Sequence, residues 1–298
     1  MAAAVARVLV VGGTGLLGQY VCEEARRRGH EVAATCRGTT PPSTGIAWRS
    51  LDLRRTESIA PLLRELRPEI LINAAALTDV DGCEERIEEA EAINAVAPGA
   101  MAETAESLGV PFVHVSTDYV FDGRGPATEE TEPRPLGAYG RTKHEGERRV
   151  LRAHPRALLL RLSAGFGWNR LSSKSNSVTW ILNRLEAGQE APLFEDQRVT
   201  PTFAKTAAEA AFDLMAQGAS GIFHVACGEC LSRVEMGKAV AEAFGLSGAR
   251  ITPIKMASLR LKAPRPPSPC LVVRKVEETL KRPMPSFRAC LDDMRRTR

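Results

Sequence analysis

Between a short apolar run and the first amphipathic stretch, the chain reads Gly12-Gly-Thr14-Gly15-Leu16-Leu17-Gly18. The run before it, Arg7-Val-Leu-Val-Val, is rich in β-branched residues and ends on glycine, which predicts a buried parallel strand. An amphipathic helix is predicted to come next, through about Arg28. Gly12 and Gly15 let the backbone turn tightly and approach a pyrophosphate. Gly18 lets the helix pack close to the strand, and the helix N-terminus faces the anion. The spacing is Gly-x-x-Gly-x-x-Gly rather than Gly-x-Gly-x-x-Gly. A glycine triplet alone is a weak signal; set between a first strand and a first helix it is a strong one.

The N-terminal half keeps this alternation. Strands are expected at Glu31–Cys36, 47–51, Ile70–Asn73, Phe112–Thr117 and 157–161. Helices are expected near 57–66, over 84–108 with a kink or interruption around Pro98, and from Tyr139 onward. This is the pattern of an α/β doubly wound parallel sheet. After Ser163 the character changes, with Gly, Ser and Asn clustered over 165–177. Next come a helix over 178–186, an extended stretch over 197–202, a helix over 207–216 and a strand over 222–226, the last two returning to the sheet. A helix over 233–244, a proline-rich loop over 263–269 and two short helices complete the chain. The expected organisation is a dinucleotide-binding domain over 1–163 with a return segment near 203–227. A smaller lobe, 164–202 and 228–298, caps the C-terminal edge of the sheet, where α/β folds bind ligands.

The residue after the second strand selects the dinucleotide. An acidic residue there binds the adenosine ribose 2′-hydroxyl; this chain has Arg37, which suits a 2′-phosphate, and no acidic residue lies between Val32 and Leu51. The expected cofactor is therefore NADP(H). Asp52-Leu53, after the third strand, is positioned to meet the adenine edge, and Ala74-Ala75-Ala76 leaves room for the backbone to pass close to the cofactor.

The chemistry is expected from Tyr139-Gly-Arg-Thr-Lys143. Residues four apart share a helix face, so the Tyr139 hydroxyl and the Lys143 ammonium can approach one point. A cation beside a phenol favours the phenolate and brings its proton into a range useful for transfer to a carbonyl oxygen. Ser116 and Thr117, ending the preceding strand, supply further hydroxyl donors at the same carbonyl.

Composition excludes more than it selects. Hydrophobic content of 44% and charged content of 26% are ordinary for a globular protein. A formal charge of +4 gives no argument for nucleic acid or a membrane surface, and no apolar run approaches ~18 residues, so a cytoplasmic protein is expected. The seven cysteines are scattered, which suits a reducing compartment. Cys227-Gly-Glu-Cys230 has no second pair to complete a four-ligand metal site and reads as two incidental thiols at a strand end; no metal is expected.

Taken together, Gly12-x-x-Gly15-x-x-Gly18, Asn73-Ala-Ala-Ala-Leu-Thr78-Asp-Val-Asp81, Ser116-Thr-Asp-Tyr-Val-Phe-Asp-Gly123 and Tyr139-x-x-x-Lys143 resemble the extended short-chain dehydrogenases over nearly the full length. The Ser-Thr-Asp-Tyr-Val-Phe string resembles the branch of dTDP-4-dehydrorhamnose reductase, as do Asp196-Gln-Arg-Val-Thr-Pro-Thr202 and Ala263-Pro-Arg-Pro266. The resemblance implies a Rossmann-type domain and Thr117, Tyr139 and Lys143 as catalytic residues. It also implies Arg37 and Asp52 at the adenosine half of the cofactor, and Thr78, Asp118, Tyr119 and Ala164 at the sugar. Arg198 and Arg265 are the cations expected to meet the substrate diphosphate. Members of this branch commonly carry a tryptophan where this chain has Ala164, which implies a pocket that is enlarged or refilled by Phe166 and Trp168. The substrate implied is a nucleotide-linked 4-keto-6-deoxy sugar, reduced by a monomer or homodimer. The same string marks the regulatory beta subunit of methionine adenosyltransferase, so a non-catalytic NADP-binding subunit is the alternative.

Overall fold

Along β1 (Arg7–Val11) the side chains alternate between two buried layers, Val8 and Val10 in one, Leu9 and Val11 in the other. A strand covered on both faces is what an unbroken apolar run specifies. The computed structural model, which describes residues 5–38, 40–41 and 45–298, sets β1 inside a seven-stranded, wholly parallel sheet. The stretch 1–4 and, within the loop after β2, residues 39 and 42–44 lie outside the described residues.

The sheet order is β3-β2-β1-β4-β5-β6-β9. Here β2 is Glu31–Cys36, β3 Ala47–Ser50, β4 Ile70–Asn73, β5 Phe112–Thr117, β6 Leu158–Leu162 and β9 Gly221–His224. Chain direction away from β1 reverses between β1 and β4, so the loops leaving those strands diverge and open a crevice at the C-terminal edge. Helices α1 (Leu16–Arg27) and α8 (Ala204–Ala216) cover one face; α2 (Ile59–Leu66), α5 (Ala97–Ser107) and α6 (Ala138–Ala153) cover the other. The strand expected over 222–226 does return to the sheet, as β9 beside β6.

The interruption expected around Pro98 in the helix over 84–108 begins earlier, and the stretch is divided more than once. Helix α3 (Val80–Glu85) ends at Arg86, α4 (Ile87–Glu91) begins after it, and a π-helical turn over Ala92–Val96 leads into α5. Pro98 sits in the first turn of α5, where a proline fits without breaking the helix. The wide turn sends the Asn94 side chain back to the loop after β4. Its Oδ1 accepts the Leu77 N–H at 2.8 Å and its Nδ2 donates to the Leu77 carbonyl at 3.1 Å.

The remaining elements build the smaller lobe. Helix α7 (Ser177–Glu186) starts on a reciprocal cap between Asn176 and Thr179. Two small sheets form, with one strand inside the extended stretch expected over 197–202 and the other three strands not expected. Strand β7 (Ala191–Phe194) pairs in parallel with β11 (Ile251–Ile254), and β8 (Arg198–Val199) pairs with β10 (Leu231–Ser232). Helix α9 (Arg233–Ala243) packs on β7, and α10 (Arg274–Leu280) and α11 (Phe287–Arg296) close the lobe against α8 and α9. The reading of Cys227 and Cys230 as incidental thiols is corrected at Cys230, which forms a disulfide with Cys270. Spacing could not reveal this, because the partner lies 40 residues away, beyond the proline-rich loop. Cys227 is a free, buried thiol 3.8 Å from Cys290 Sγ.

Candidate active site

Gly12 adopts φ +84°, and a Cβ there would fall 2.8 Å from Ala75 Cα, so this turn admits only glycine. Thr35 anchors the turn: Gly12 N–H donates to its Oγ1 at 3.1 Å and Gly13 N–H to its carbonyl at 2.9 Å. Gly18 packs on the Gly12 carbonyl, as the spacing requires. Gly15 is the N-cap of α1 with no capping side chain, and Thr14, Leu16 and Leu17 are half-buried around it, so the first-turn N–H groups are left to an outside anion. Ala74 N–H is held by the Val11 carbonyl, and Ala75 N–H by Asn73 Oδ1. Ala76 is half-buried.

At the far end of the loop, Arg37 is 63% exposed and 3.9 Å from Glu89. Asp52 is gripped by Arg54 at 2.5 Å, and that hydrogen bond holds the carboxyl down at about 2. Arg54 also lies 3.8 Å from Glu89 and was not foreseen. Leu53 is buried in the core rather than set at a surface. A glycine floor, an uncapped helix start and an open arginine suit an anionic dinucleotide with a phosphate on the adenosine ribose.

Where β5 ends, Thr117 caps a short 3₁₀ turn over Asp118–Val120, its Oγ1 accepting Tyr119 N–H at 3.2 Å. Tyr139 enters on the first turn of α6, whose glycine N-cap is replaced in function by Glu84 from α3, accepting Ala138 N–H at 2.7 Å. The Tyr139 ring meets Tyr119 edge-on at 5.4 Å, and Gly140 lets α6 pass directly over the Tyr119 carbonyl. Burial pushes the Tyr139 phenol up, with the Thr117 hydroxyl opposing. The net shift is upward, opposite to the lowering expected from Lys143. Lys143 points past the phenol: Nζ donates to the Val115 carbonyl at 2.7 Å and lies 3.4 Å from His114 Nε2. Burial lowers Lys143 to about 8, partly opposed by Glu147.

Beneath them lies a fully buried ion pair that no motif in the sequence marks. Arg161 on β6 grips Glu147 on α6 with Nε and Nη2 at 2.8 and 2.7 Å, and its guanidinium lies over Phe121 at 5.0 Å. Burial alone would raise Glu147; the Arg161 hydrogen bonds overcome it and hold the carboxyl at about 2. Ser116 is buried on this Glu147 side, away from Thr117.

The lobe contributes a cavity of about 250 Å³ lined in part by Tyr119, Trp180, Phe194, Gln197, Arg233 and Arg265. Arg265 is there as expected, but forked onto Asp81 at 3.0 and 2.7 Å. Arg198 does not line it; it bonds the Cys230 carbonyl at 2.8 Å and pairs with Glu235 at 3.4 Å. Arg233 takes the place expected of Arg198. Its Nε donates to Gln197 at 3.0 Å, and it has no carboxylate partner among the described residues. The signal was present: Ser232-x-x-Glu235 is a capping-box sequence, and both of its bonds form, which fixes Arg233 in the first turn of α9.

Other sugar-side residues lie elsewhere. Asp118 is 2% exposed beneath Thr117 and bonded to Ser163. Thr78 is exposed and receives Lys174 Nζ at 2.6 Å. Ala164 adopts φ +43°, turning the chain away after β6. Phe166 and Trp168 do not refill the cavity; Phe166 stacks on Phe203 and meets Phe287 edge-on, and Trp168 meets Phe244 and donates to the Met294 carbonyl.

Known proteins resemble this chain in sequence and fold. A family model described as the RmlD substrate binding domain matches residues 6–297. The chain is 39% identical over 274 residues to the probable low-salt glycan biosynthesis reductase Agl14 of Haloferax volcanii, covering 91% of each. It is 32% identical over 267 residues to dTDP-4-dehydrorhamnose reductase of Mycobacterium tuberculosis, covering 87% of this chain and 82% of the relative. A solved structure of a hypothetical dTDP-4-dehydrorhamnose reductase from Sulfolobus tokodaii superposes with a TM-score of 0.84 at 30% identity, over 94% of this chain and 97% of that one. The chain belongs to the RmlD substrate binding domain family.

Proposed function

We propose that the protein is an NADP(H)-dependent reductase of a nucleotide-linked 4-keto-6-deoxy sugar. One juxtaposition supports this reading: Thr117 ends β5 at the C-terminal edge of the sheet, and Tyr139 meets edge-on Tyr119, which lines the Arg233–Arg265 cavity. A reduced nicotinamide, when bound, supplies the hydride to the keto carbon. Gly12, Gly15 and the first turn of α1 would hold the pyrophosphate and Arg37 the 2′-phosphate. Arg233 and Arg265 would hold the substrate diphosphate, with Trp180 and Phe194 as apolar surface for the rest. Tyr139 gives its proton to the developing alkoxide, and Lys143 would hold the nicotinamide ribose.

The test is NADPH oxidation over a panel of nucleotide-linked 4-keto sugars, with Tyr139→Phe beside the unaltered protein. Removing one oxygen should leave the fold and NADPH affinity unchanged while kcat falls by about 10²-fold or more. Full activity in Tyr139→Phe would mean a different proton donor. Tight NADPH binding with no turnover of any panel member would favour the non-catalytic regulatory subunit.

A further inference from the structure

Two cations line the cavity, and they are held in different ways. Arg265, on the proline-rich loop, is pinned from outside it. Asp81 accepts from its Nη1 and Nη2 at 3.0 and 2.7 Å, and from the Ala263 N–H at 2.9 Å. The loop, and the Pro266 carbonyl on it, is therefore set in place before any ligand binds. Arg233, at the start of α9, has no such carboxylate among the described residues.

Between the two stands Gln197, 2% exposed. Its Nε2 donates to the Pro266 carbonyl at 3.2 Å, and its Oε1 accepts from Arg233 Nε at 3.0 Å. Its own carbonyl accepts the Arg233 N–H at 3.1 Å, and the next residue, Arg198, donates its N–H to the Pro267 carbonyl at 2.8 Å. The partners force the orientation of the amide. A carbonyl only accepts and a guanidinium only donates, so Nε2 faces Pro266 and Oε1 faces Arg233. A carboxylate here would set oxygen against oxygen at Pro266, and a thioether would serve neither partner. The bond is made to Nε, which leaves both Nη groups of Arg233 without a protein partner among the described residues, at the wall of the cavity. A guanidinium held by its Nε presents its two-pronged end, the geometry that captures a phosphate with two parallel bonds.

We propose that Gln197 is a positioning residue that fixes Arg233 against the Arg265 loop, so that both cations meet one diphosphate; this rests on the reading of the cavity as the diphosphate site. The order of support runs outward from Asp81. Asp81 holds the loop, the Pro266 carbonyl orients the Gln197 amide, and the amide aims Arg233. Because the charge of Arg265 is already answered by Asp81, the extra negative charge of a diphosphate over a monophosphate falls to Arg233. Without the amide, Arg233 keeps its charge but loses its fixed place, and the preference for two phosphates goes with it.

The probes are dTDP and UDP, each titrated by calorimetry into the full chain beside its monophosphate, so no turnover is needed. The unaltered protein should prefer at least one diphosphate by about tenfold or more, the worth of a charge-assisted hydrogen bond. Gln197→Met should weaken that diphosphate about tenfold and the monophosphate by less than about threefold, with NADPH affinity kept as the sign of a folded protein. Gln197→Glu stands beside it should the Met variant not fold. It keeps an acceptor for Arg233 but cancels the charge and opposes Pro266, so its loss should be at least as large. In an Arg233→Met background, Gln197→Met should cost less than about twofold more, because Gln197 acts through Arg233. The proposal is overturned if the unaltered protein binds neither diphosphate, if either Gln197 variant keeps full diphosphate affinity, or if both phosphate classes weaken equally. A second full loss in the Arg233→Met background would make Gln197 a direct ligand contact and overturn it too. In turnover, Gln197→Met should raise KM for a nucleotide-linked sugar by the factor lost in the titration, while kcat holds. If the titrations run as expected but no sugar is reduced, the reductase reading fails and the role of Gln197 stands. Reduction with a KM indifferent to Gln197→Met keeps the reductase reading and removes this one.

Discussion

The two walls of the cleft are built on opposite principles. On the sheet side, three buried groups behind the site are matched within the chain: Arg161 with Glu147, Asn94 with Leu77, Lys143 with the Val115 carbonyl. On the lobe side, Arg233 faces the cavity with a single side-chain bond, to Gln197, and no carboxylate partner among the described residues. Matched groups fix geometry before any ligand arrives, whereas an unmatched cation is stabilised only when an anion comes. The difference assigns stability to one wall and recognition to the other, and substitutions on each side should separate the two.

The largest effect is expected from Glu147→Gln. It leaves Arg161, 1% exposed, without a counter-charge, and breaking one side of such a pair costs about 3–5 kcal/mol. Denaturant unfolding should show that loss at neutral pH. The lowered carboxyl sets the sign of the pH dependence: its contribution is complete above the ordinary 4.5 and is lost as pH falls towards about 2. The unaltered protein should therefore lose stability over that interval by more than the Gln variant does. Equal stability of the two proteins at pH 7 would break the comparison on the sheet side.

On the lobe side, Arg233→Met should leave the denaturation midpoint unchanged or higher, since it removes a half-buried, uncompensated charge. The KM for a nucleotide-linked sugar should rise about ten- to hundredfold, the worth of a charge-assisted hydrogen bond. Arg198→Met should change that KM by less than about threefold, because Arg198 is engaged by Glu235 and the Cys230 carbonyl. Reversal of this order would place the diphosphate outside the cavity and restore Arg198.

The same contrast explains what the sequence could convey. The sheet is legible because its strands are apolar runs and its glycines mark turns; β2, β4 and β5 fall at the boundaries read from the residues alone. Tyr139 and Lys143 were legible as a helical pair, yet period alone cannot say that Lys143 reaches to the strand behind rather than to the phenol. The lobe is held by contacts between residues far apart, such as Arg265 with Asp81 and Cys230 with Cys270. A two-residue strand such as β10 carries no periodicity to read. Arg233 was hidden for a different reason. A single arginine in a surface-type helix start looks solvated until the cavity above it is seen.

The adenosine end tests whether an exposed cation can belong to the recognising wall at all. Arg37 is more than half exposed, so water and salt screen it, and Arg54 beside it is already committed to Asp52. If Arg37 meets a 2′-phosphate, NADPH should bind more tightly than NADH, and Arg37→Asp should remove that preference by weakening NADPH about tenfold, at the low end for a charge-assisted bond because of the exposure. NADH affinity should hold or rise, since an acidic residue at this position can bind the free ribose 2′-hydroxyl. The preference of the unaltered protein should also shrink as salt rises from about 0.05 to 0.5 M, because the Debye length shortens across that range. Dissociation constants from fluorescence titration supply each comparison. Equal affinities for NADPH and NADH in the unaltered protein would show that exposure alone defeats recognition at this corner, leaving the half-buried Arg233 as the cation that discriminates among ligands.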